Sequence, residues 1–171
     1  MSKKAQFVVI IMETASWMES EAKKFYSNLF PSSADGEKYA AEKLSIPQLF
    51  KIQNDFSIEI LMVYEEETPS SFIQLNSSRI FNENIDAEKP ICVEHIVYTD
   101  AEEILLLINR AEVIAMQRKH DLIWVKLFEF DVILQEALAS IGYTNFDFEE
   151  NNSEERNQKQ IYLRKEISGN K

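Results

Sequence analysis

The sequence predicts an α/β fold with a mixed, mainly antiparallel sheet of six to seven strands and helices on both faces. Strand-like and helical patterns alternate along the chain. Two apolar strand patterns, residues 91–98 and 122–130, are separated by a long helical pattern, and a crossover of this kind joins parallel strands. The second strand is almost uninterruptedly apolar, which is typical of a strand covered on both faces.

The chain length of 171 residues fits one domain, 1–171, with a substantial hydrophobic core. Its 45% hydrophobic and 11% aromatic content excludes global disorder. The single cysteine, Cys92, excludes an intramolecular disulfide and lies in an apolar run that predicts a buried, inert thiol. We find no secretory signal and no stretch long enough to span a bilayer, so we expect a cytoplasmic protein with no membrane partner.

The net charge of −11 repels nucleic-acid phosphates, and no basic stripe with interleaved aromatics is present. We therefore expect no nucleic-acid partner. The same charge attracts cationic substrates such as amines, although an acidic surface also serves solvation alone. His95 and His120 are not spaced as a ligand pair and Cys92 has no partner cysteine, so we expect no metal site.

The first half of the chain predicts a strand, two helical segments and a hairpin. Residues 7–12 form a β-branched apolar run that indicates a buried strand. Apolar residues recur at helical spacing over 16–30 and again over 34–51, where Pro47 interrupts or restarts the helix. The hairpin consists of strands 58–64 and 72–76 around a turn at 65–69.

The second half continues the alternation after a polar connection. A long helix is predicted from Asp100 to near His120, between the two central strands. A further helix over 132–141 ends at Gly142, which stands in the position of a C-cap glycine. The remaining predicted elements are strands 144–150 and 160–167, joined by a polar loop at 151–159.

Residues 93–98 read Val-Glu-His-Ile-Val-Tyr, and this segment resembles the fourth strand of the general N-acetyltransferase (GNAT) superfamily, often written L-E-R-I-Y-V. Residues 123–129 resemble its fifth strand, 139–143 resemble the M-G-F end of its fourth helix, and 161–165 resemble its last strand. Residues 68–75 resemble its V-G-F-I-x-L segment, with serine in place of glycine. The resemblance covers the chain from Ile58 onward, and before that it rests on element order.

The resemblance implies acetyl-CoA as cofactor. In the family the fourth and fifth strands splay apart, and the exposed backbone of the fourth strand pairs with the pantetheine amides. A glycine loop at the next helix then wraps the pyrophosphate with backbone N–H groups, which bind anions at a helix N-terminus. The corresponding residues here are Ile96, Val97, Tyr98, Asp100, Ala101, Glu102, Glu103 and Ile104, with Asp131 at the position of a cofactor-contacting asparagine.

The sequence departs from this pattern at the loop, because no glycine occurs between Gly36 and Gly142. Asp100, Glu102 and Glu103 stand there instead, and we interpret Asp100 as an N-cap that forms a capping box with Glu103. These carboxylates would repel a pyrophosphate, so we expect weak binding of acetyl-CoA. A different loop that uses Lys or Arg from elsewhere in the chain is the alternative.

Glu94 matches the glutamate of the fourth-strand motif and is our candidate general base. Strand alternation predicts Glu94, Ile96 and Tyr98 on one face and His95 on the other. A carboxylate between apolar neighbours titrates at a higher pH than usual, which suits a base. A surface glutamate, or a buried one paired with a lysine, is the alternative reading.

Leu138 stands where the family has its general-acid tyrosine, and Tyr143 matches a core aromatic instead. Two functions therefore compete. One is a divergent N-acetyltransferase with a degenerate pyrophosphate loop, acting on a small amine or a peptide amine. The other is a non-catalytic GNAT-like domain that binds another ligand or a protein partner. The sequence leaves homo-oligomerisation open.

Overall fold

The computed structural model describes residues 2–78, 85–148 and 160–167. The helices of this part are α1 (Met12–Leu29), α2 (Ser33–Lys43), α3 (Ile46–Gln53), α4 (Ala101–Gln117) and α5 (Val132–Ser140). Its strands are β1 (Lys3–Val8), β2 (Ile58–Glu65), β3 (Thr68–Asn76), β4 (Pro90–Val97), β5 (Leu122–Phe128), β6 (Thr144–Asn145) and β7 (Gln160–Glu166).

The seven strands of the described residues form one sheet in the order β1-β2-β3-β4-β5-β7-β6. β4 and β5 are adjacent and parallel, with Pro90 opposite Leu122 and Val93 opposite Val125, and the other pairs are antiparallel. The crossover helix α4 packs on this sheet, since its buried residues share one core with β4 and β5. The predicted fold class and the predicted central parallel pair are confirmed.

Helices cover the sheet on both faces. α4 and α5 share a core with Leu61 and Val63 of β2, whereas α1, α2 and α3 share a second core with Ile60 and Met62 of the same strand. All four of these residues are buried, because alternate side chains of a strand point to opposite faces. This two-sided burial removes apolar surface from water at both faces and is the main stabilising contribution to such a fold.

The N-terminal strand differs from the prediction of a buried strand at 7–12. β1 ends at Val8 and is an edge strand, in which Phe7 keeps 40% of its surface exposed. Ile11 precedes α1, which begins at Met12, and both side chains are more than half exposed. The apolar run was therefore a misleading signal, because only Ile10 of its last four residues is buried.

Helix boundaries agree better with the sequence patterns. The pattern over 34–51 is two helices, and Pro47 lies in the first turn of α3, where its missing N–H is tolerated. Gly142 follows α5 with a φ of +97°, so its role as a C-cap glycine is confirmed. The strand predicted at 144–150 is only the two-residue β6 within the described residues, and the loop at 151–159 lies outside them.

Candidate functional site

β4 and β5 diverge halfway along their length. Their pairing stops at Val93 and Val125, after which β4 continues beside β3 and β5 continues beside β7. A bulge at His95 accompanies the divergence. Gln74 pairs with Glu94 and Phe72 with Val97, so three steps of β4 oppose two steps of β3. His95 has a φ of +53°, and an extra residue of this kind bends a strand away from its neighbour.

The bulge also breaks the alternation of side chains. Glu94 and His95, although consecutive, both line one cavity of about 150 Å³ at the gap between the strands. The prediction that His95 points to the face opposite Glu94 is therefore wrong. Ile96 packs in the core of α4 and α5. Strict alternation of the side chains fails because β4 has one residue more than β3 between the pairs Gln74–Glu94 and Phe72–Val97. The cavity is lined by Tyr26, Tyr39, Lys43, Glu94, His95, Ile96, Lys126, Leu127, Phe128, Asp131, Leu134 and Gln160.

Glu94 is held by polar neighbours from the adjacent strand. Its Oε1 accepts hydrogen bonds from Gln74 Nε2 at 2.8 Å and from Asn76 Nδ2 at 3.2 Å. Its Oε2 lies 3.9 Å from Nζ of Lys126 on β5. The expectation of apolar neighbours is wrong, and the alternative of pairing with a lysine is the better description. Two amide donors fix the carboxylate orientation toward the cavity.

A tyrosine–histidine pair forms another wall of the cavity. Tyr39 Oη and His95 Nδ1 are 3.1 Å apart, which joins α2 to the bulge of β4. Tyr39 is 6% exposed and its ring packs edge-on against Tyr26 and Phe128. No sequence pattern indicates this pair, because Tyr39 has the spacing of an ordinary core residue of a helix and lies 56 residues from His95.

Close packing of α2 on α1 brings Tyr39 to this wall. Gly36 lies one turn before Tyr39, and a Cβ at Gly36 would lie 1.9 Å from the backbone oxygen of Tyr26. The absence of a side chain at Gly36 therefore permits the close approach of the two helices. Lys43 in the last turn of α2 reaches the same cavity.

The start of α4 is built around two carboxylates with different roles. Asp100 is the N-cap, as predicted, and accepts a hydrogen bond from Glu103 N at 2.9 Å. The side chain of Glu103 does not complete a capping box, because it turns inward and is 1% exposed. Ala101 and Glu102 are exposed at the helix start, and Ile104 is buried in the core of α4 and α5.

The buried Glu103 carboxylate has four polar partners. Its carboxylate accepts hydrogen bonds from the hydroxyls of Ser70, Ser71 and Thr99, and Nζ of Lys3 lies 3.1 Å away. Burial raises the pKa of the Glu103 carboxyl, but these donors outweigh burial and hold that pKa below its usual value. The serines of the 68–75 segment thus bind a carboxylate of the same chain.

Tyr98 and Asp131 meet across the divergent ends of β4 and β5. The Tyr98 hydroxyl donates a hydrogen bond to Asp131 Oδ1, and the same oxygen caps α5 by accepting from Leu134 N at 3.3 Å. Asp131 is 3% exposed, and burial raises its carboxyl pKa although both hydrogen bonds oppose that shift. Sequence reasoning placed both residues at the cofactor site, and the structure joins them to each other.

The positions of two further residues agree with the sequence interpretation. Leu138 is fully buried in the core of α4 and α5, and Tyr143 is a member of the same core.

Cys92 is buried as predicted. Within the described residues no cluster of three His, Cys, Asp or Glu side chains is arranged to hold a metal ion. In the same part of the chain, no helix is both long and apolar enough to cross a membrane.

The two parts of the chain that the resemblance assigns to coenzyme A differ in what they offer a ligand. Among the described residues, β4 beyond Val93 has no partner strand on the β5 side, and the resemblance assigns the pantetheine arm to this stretch of backbone. At the start of α4, by contrast, the Asp100 carboxylate already occupies the Glu103 N–H, one of the donors that a pyrophosphate would use.

No protein-family model matches the sequence, and no curated protein matches it. Solved structures do resemble it. A probable acetyltransferase from Staphylococcus epidermidis has a TM-score of 0.74 at 16% identity, with 98% of this chain and 100% of that chain covered. The PaiA N-acetyltransferase from Thermoplasma acidophilum, solved with coenzyme A, gives 0.70 at 16% identity, with 97% and 99% covered.

A GNAT-family acetyltransferase from Staphylococcus aureus Mu50 gives a TM-score of 0.62 at 8% identity, covering 96% of this chain and 99% of that chain. The protein therefore has the GNAT fold, and the resemblance that its sequence motifs indicate is confirmed at the level of fold. The low identities agree with a divergent sequence.

Proposed function

We propose that the protein is an acyltransferase that transfers an acyl group from a thioester to a small amine bound in the cavity between β4 and β5. The observation that carries this proposal is the orientation of Glu94. Gln74 and Asn76 hold its carboxylate at the wall of a cavity that opens where the two strands diverge. The fold shared with acetyltransferases supports the same reaction class.

Each cavity residue has a role in this proposal. An acyl thioester supplies an activated carbonyl carbon, and acyl transfer forms a C–N bond, breaks the C–S bond and releases a thiol. Glu94 accepts the proton that an ammonium group loses before its nitrogen becomes nucleophilic. The Tyr39 hydroxyl, held by His95, donates a proton to the departing thiolate, which is the role that Leu138 cannot fill, and the proton that the nitrogen loses as the amide forms restores the hydroxyl. The edge of β4 at Ile96, Val97 and Tyr98 is the proposed binding surface for the thioester arm.

The test is a transfer assay with acetyl-CoA and a panel of small amines, in which thiol release is measured. Glu94→Gln keeps the hydrogen-bonding shape and removes the base, and Tyr39→Phe removes the donor. We expect each variant to lower kcat by roughly 10²–10⁴-fold. Glu136→Gln, on the exposed side of α5, is the matched control and should keep the wild-type rate. Full activity in Glu94→Gln, or no turnover of any amine by the wild type, would contradict the proposal.

A second candidate is a non-catalytic GNAT-fold domain. It is favoured by the Asp100 carboxylate at the start of α4 and by the contact between Tyr98 and Asp131 across the gap. Calorimetric titration with acetyl-CoA separates the two candidates. Binding in the micromolar range favours the enzyme, and the absence of both binding and transfer favours the non-catalytic domain.

A further inference from the structure

The polar donors around the start of α4 are bonded within the chain. The N–H of Glu103, one of the groups with which a helix start binds an anion, donates to the Asp100 carboxylate at 2.9 Å. The buried Glu103 carboxylate is bound in turn by side chains of three other segments, namely Ser70, Ser71, Thr99 and Lys3. A phosphate of a ligand would have to compete with two carboxylates of the chain for these donors.

Negative charge prevails at the same helix start. Asp100 and Glu102 are exposed there, beside the buried Glu103. The pKa of the Lys3 ammonium is raised, first by its hydrogen bond to Glu103 and then by the charges of Glu103, Asp100 and Glu102. This ammonium therefore lies within the field of all three carboxylates and is already paired with one of them. A pyrophosphate would bring further negative charge to a place that repels it.

The edge of β4 offers a ligand a different kind of contact. Its parallel pairing with β5 ends at Val93 and Val125, and among the described residues β4 continues to Val97 beside β3 alone. The N–H and C=O groups of an open strand edge pair with an extended ligand that carries amides of its own. Glu94 and Ile96 of this stretch line the cavity, so an arm that lies along the edge ends beside the cavity.

We propose that the acyl donor is a pantetheine-type thioester that the protein recognises through its amide arm and not through a nucleotide pyrophosphate. This inference rests on the proposed acyl transfer, and it adds the class of the donor. In the transfer the C–S bond of the donor breaks, a C–N bond forms, and the arm leaves as a thiol with the proton that the amine loses. Coenzyme A is then a donor through its arm alone, because its pyrophosphate gains nothing at the start of α4.

Calorimetry with truncated ligands tests this donor class without any reaction. Pantetheine, coenzyme A and N-acetylcysteamine, which keeps only the last amide of the arm, are titrated in turn. We expect pantetheine to bind at least as tightly as coenzyme A and at least about tenfold more tightly than N-acetylcysteamine. Tighter binding of coenzyme A than of pantetheine would overturn the proposal. Equal binding of pantetheine and N-acetylcysteamine, or no binding of pantetheine, would also overturn it.

The salt dependence gives the sign of the interaction with the phosphates. Raising the salt concentration from about 0.01 M to about 1 M shortens the Debye length from about 30 Å to about 3 Å. Repulsion by the α4 carboxylates is then screened, so the affinity for coenzyme A relative to pantetheine should rise. Phosphates bound by Lys or Arg side chains would make this ratio fall, which would contradict the proposal.

A matched pair of variants places the repulsion at α4. Glu102→Gln removes an exposed charge at the helix start and should raise the affinity for coenzyme A relative to pantetheine by about fivefold at low salt. Glu37→Gln, on the exposed side of α2, is the control and should leave the ratio unchanged. Thermal unfolding verifies that both variants are folded. An unchanged ratio in Glu102→Gln, or an equal rise in Glu37→Gln, would contradict the proposal.

Transfer assays separate the donor class from the reaction itself. Acetyl-pantetheine, acetyl-CoA and an acetylated acyl carrier protein are compared as donors to the same amines. A kcat/KM for acetyl-pantetheine equal to or above that for acetyl-CoA supports the inference, and a lower value overturns it while the acyltransferase stands. Among supporting outcomes, faster transfer from the carrier protein identifies a protein-borne arm, and slower transfer identifies a free thioester. Pantetheine binding without transfer from any donor would contradict the acyl transfer and not the binding preference.

Discussion

The two ends of the gap between β4 and β5 differ in how their polar groups are used. On the side of α1 and α2, Glu94 faces a cavity and is oriented by two amides of β3. On the side of α4, the Asp100 carboxylate caps the helix, and the buried Glu103 carboxylate accepts from three hydroxyls of the same chain. The carboxylate at one end lines an open cavity, whereas both carboxylates at the other end are bound to donors of α4 and of neighbouring segments. Under the proposed function the Glu94 end, here called the acceptor end, binds the amine. The comparison teaches that two ends of one gap can use their carboxylates differently, one at a cavity wall and the other in helix capping and burial.

The largest expected effect concerns the wall of the acceptor end. Gly36→Ala places a Cβ 1.9 Å from the Tyr26 backbone oxygen, so α1 and α2 must move apart. We expect a loss of about 3 kcal/mol or more in the free energy of unfolding, together with loss of acceptor binding. Chemical denaturation measures the first quantity and calorimetry the second.

Gly142→Ala is the matched control for this substitution. Its new Cβ meets only Lys165 Cε at 3.8 Å, and the cost arises from the φ of +97° alone, at about 1–2 kcal/mol. A smaller cost for Gly36→Ala than for Gly142→Ala would mean that the close approach of α1 and α2 does not define the acceptor end.

The buried carboxylate at the α4 end gives the next effect. Glu103→Gln leaves Lys3 without its partner and weakens three hydroxyl contacts, so we expect a loss of about 2–3 kcal/mol at pH 7. The pKa of Glu103 is lower in the folded chain than its usual value of 4.5. Its contribution is therefore complete above that value and is lost as pH falls through the folded pKa.

Urea denaturation of both proteins from pH 7 to about pH 3 measures this dependence. The difference in stability between wild type and Glu103→Gln should shrink as the pH falls. Glu37→Gln, on an exposed side of α2, should give a difference near zero at every pH. A constant difference across the series would show that Glu103 does not act through its charge.

The smallest expected effect tests whether the α4 end excludes the cofactor. Asp100→Ser keeps an N-cap residue and removes one negative charge, so coenzyme A should bind about tenfold more tightly. Thermal shift with coenzyme A is the measurement. Asp35→Ser, in the first turn of α2, removes the same charge at another helix start and should have no effect. Tight binding of coenzyme A by the wild type would remove the contrast between the two ends.

Much of the fold could be predicted because its signals are local in sequence. The crossover from β4 through α4 to β5 follows from two apolar strands and one amphipathic helix, and the Asp100 cap and Gly142 follow from single residue types. The sequence pattern predicted a buried strand at 7–12, whereas β1 is an edge strand that ends at Val8. An apolar run does not reveal which of its residues pair with a neighbouring strand. The resemblance singled out Glu94, which the structure places at the wall of a cavity, and its role there stays a prediction.

The sequence by itself determined which residues can carry chemistry, since residue types and helix caps are properties of short segments. Only the tertiary structure decided where those groups point. The bulge that turns His95 to the side of Glu94 arises from the pairing of β4 with β3, and Tyr39 reaches His95 across 56 residues of chain. Glu103 turns inward because Lys3 and three hydroxyls from distant and neighbouring segments converge on it. Strand register and long-range packing fix these contacts, and neither is encoded in the spacing of residues along the chain.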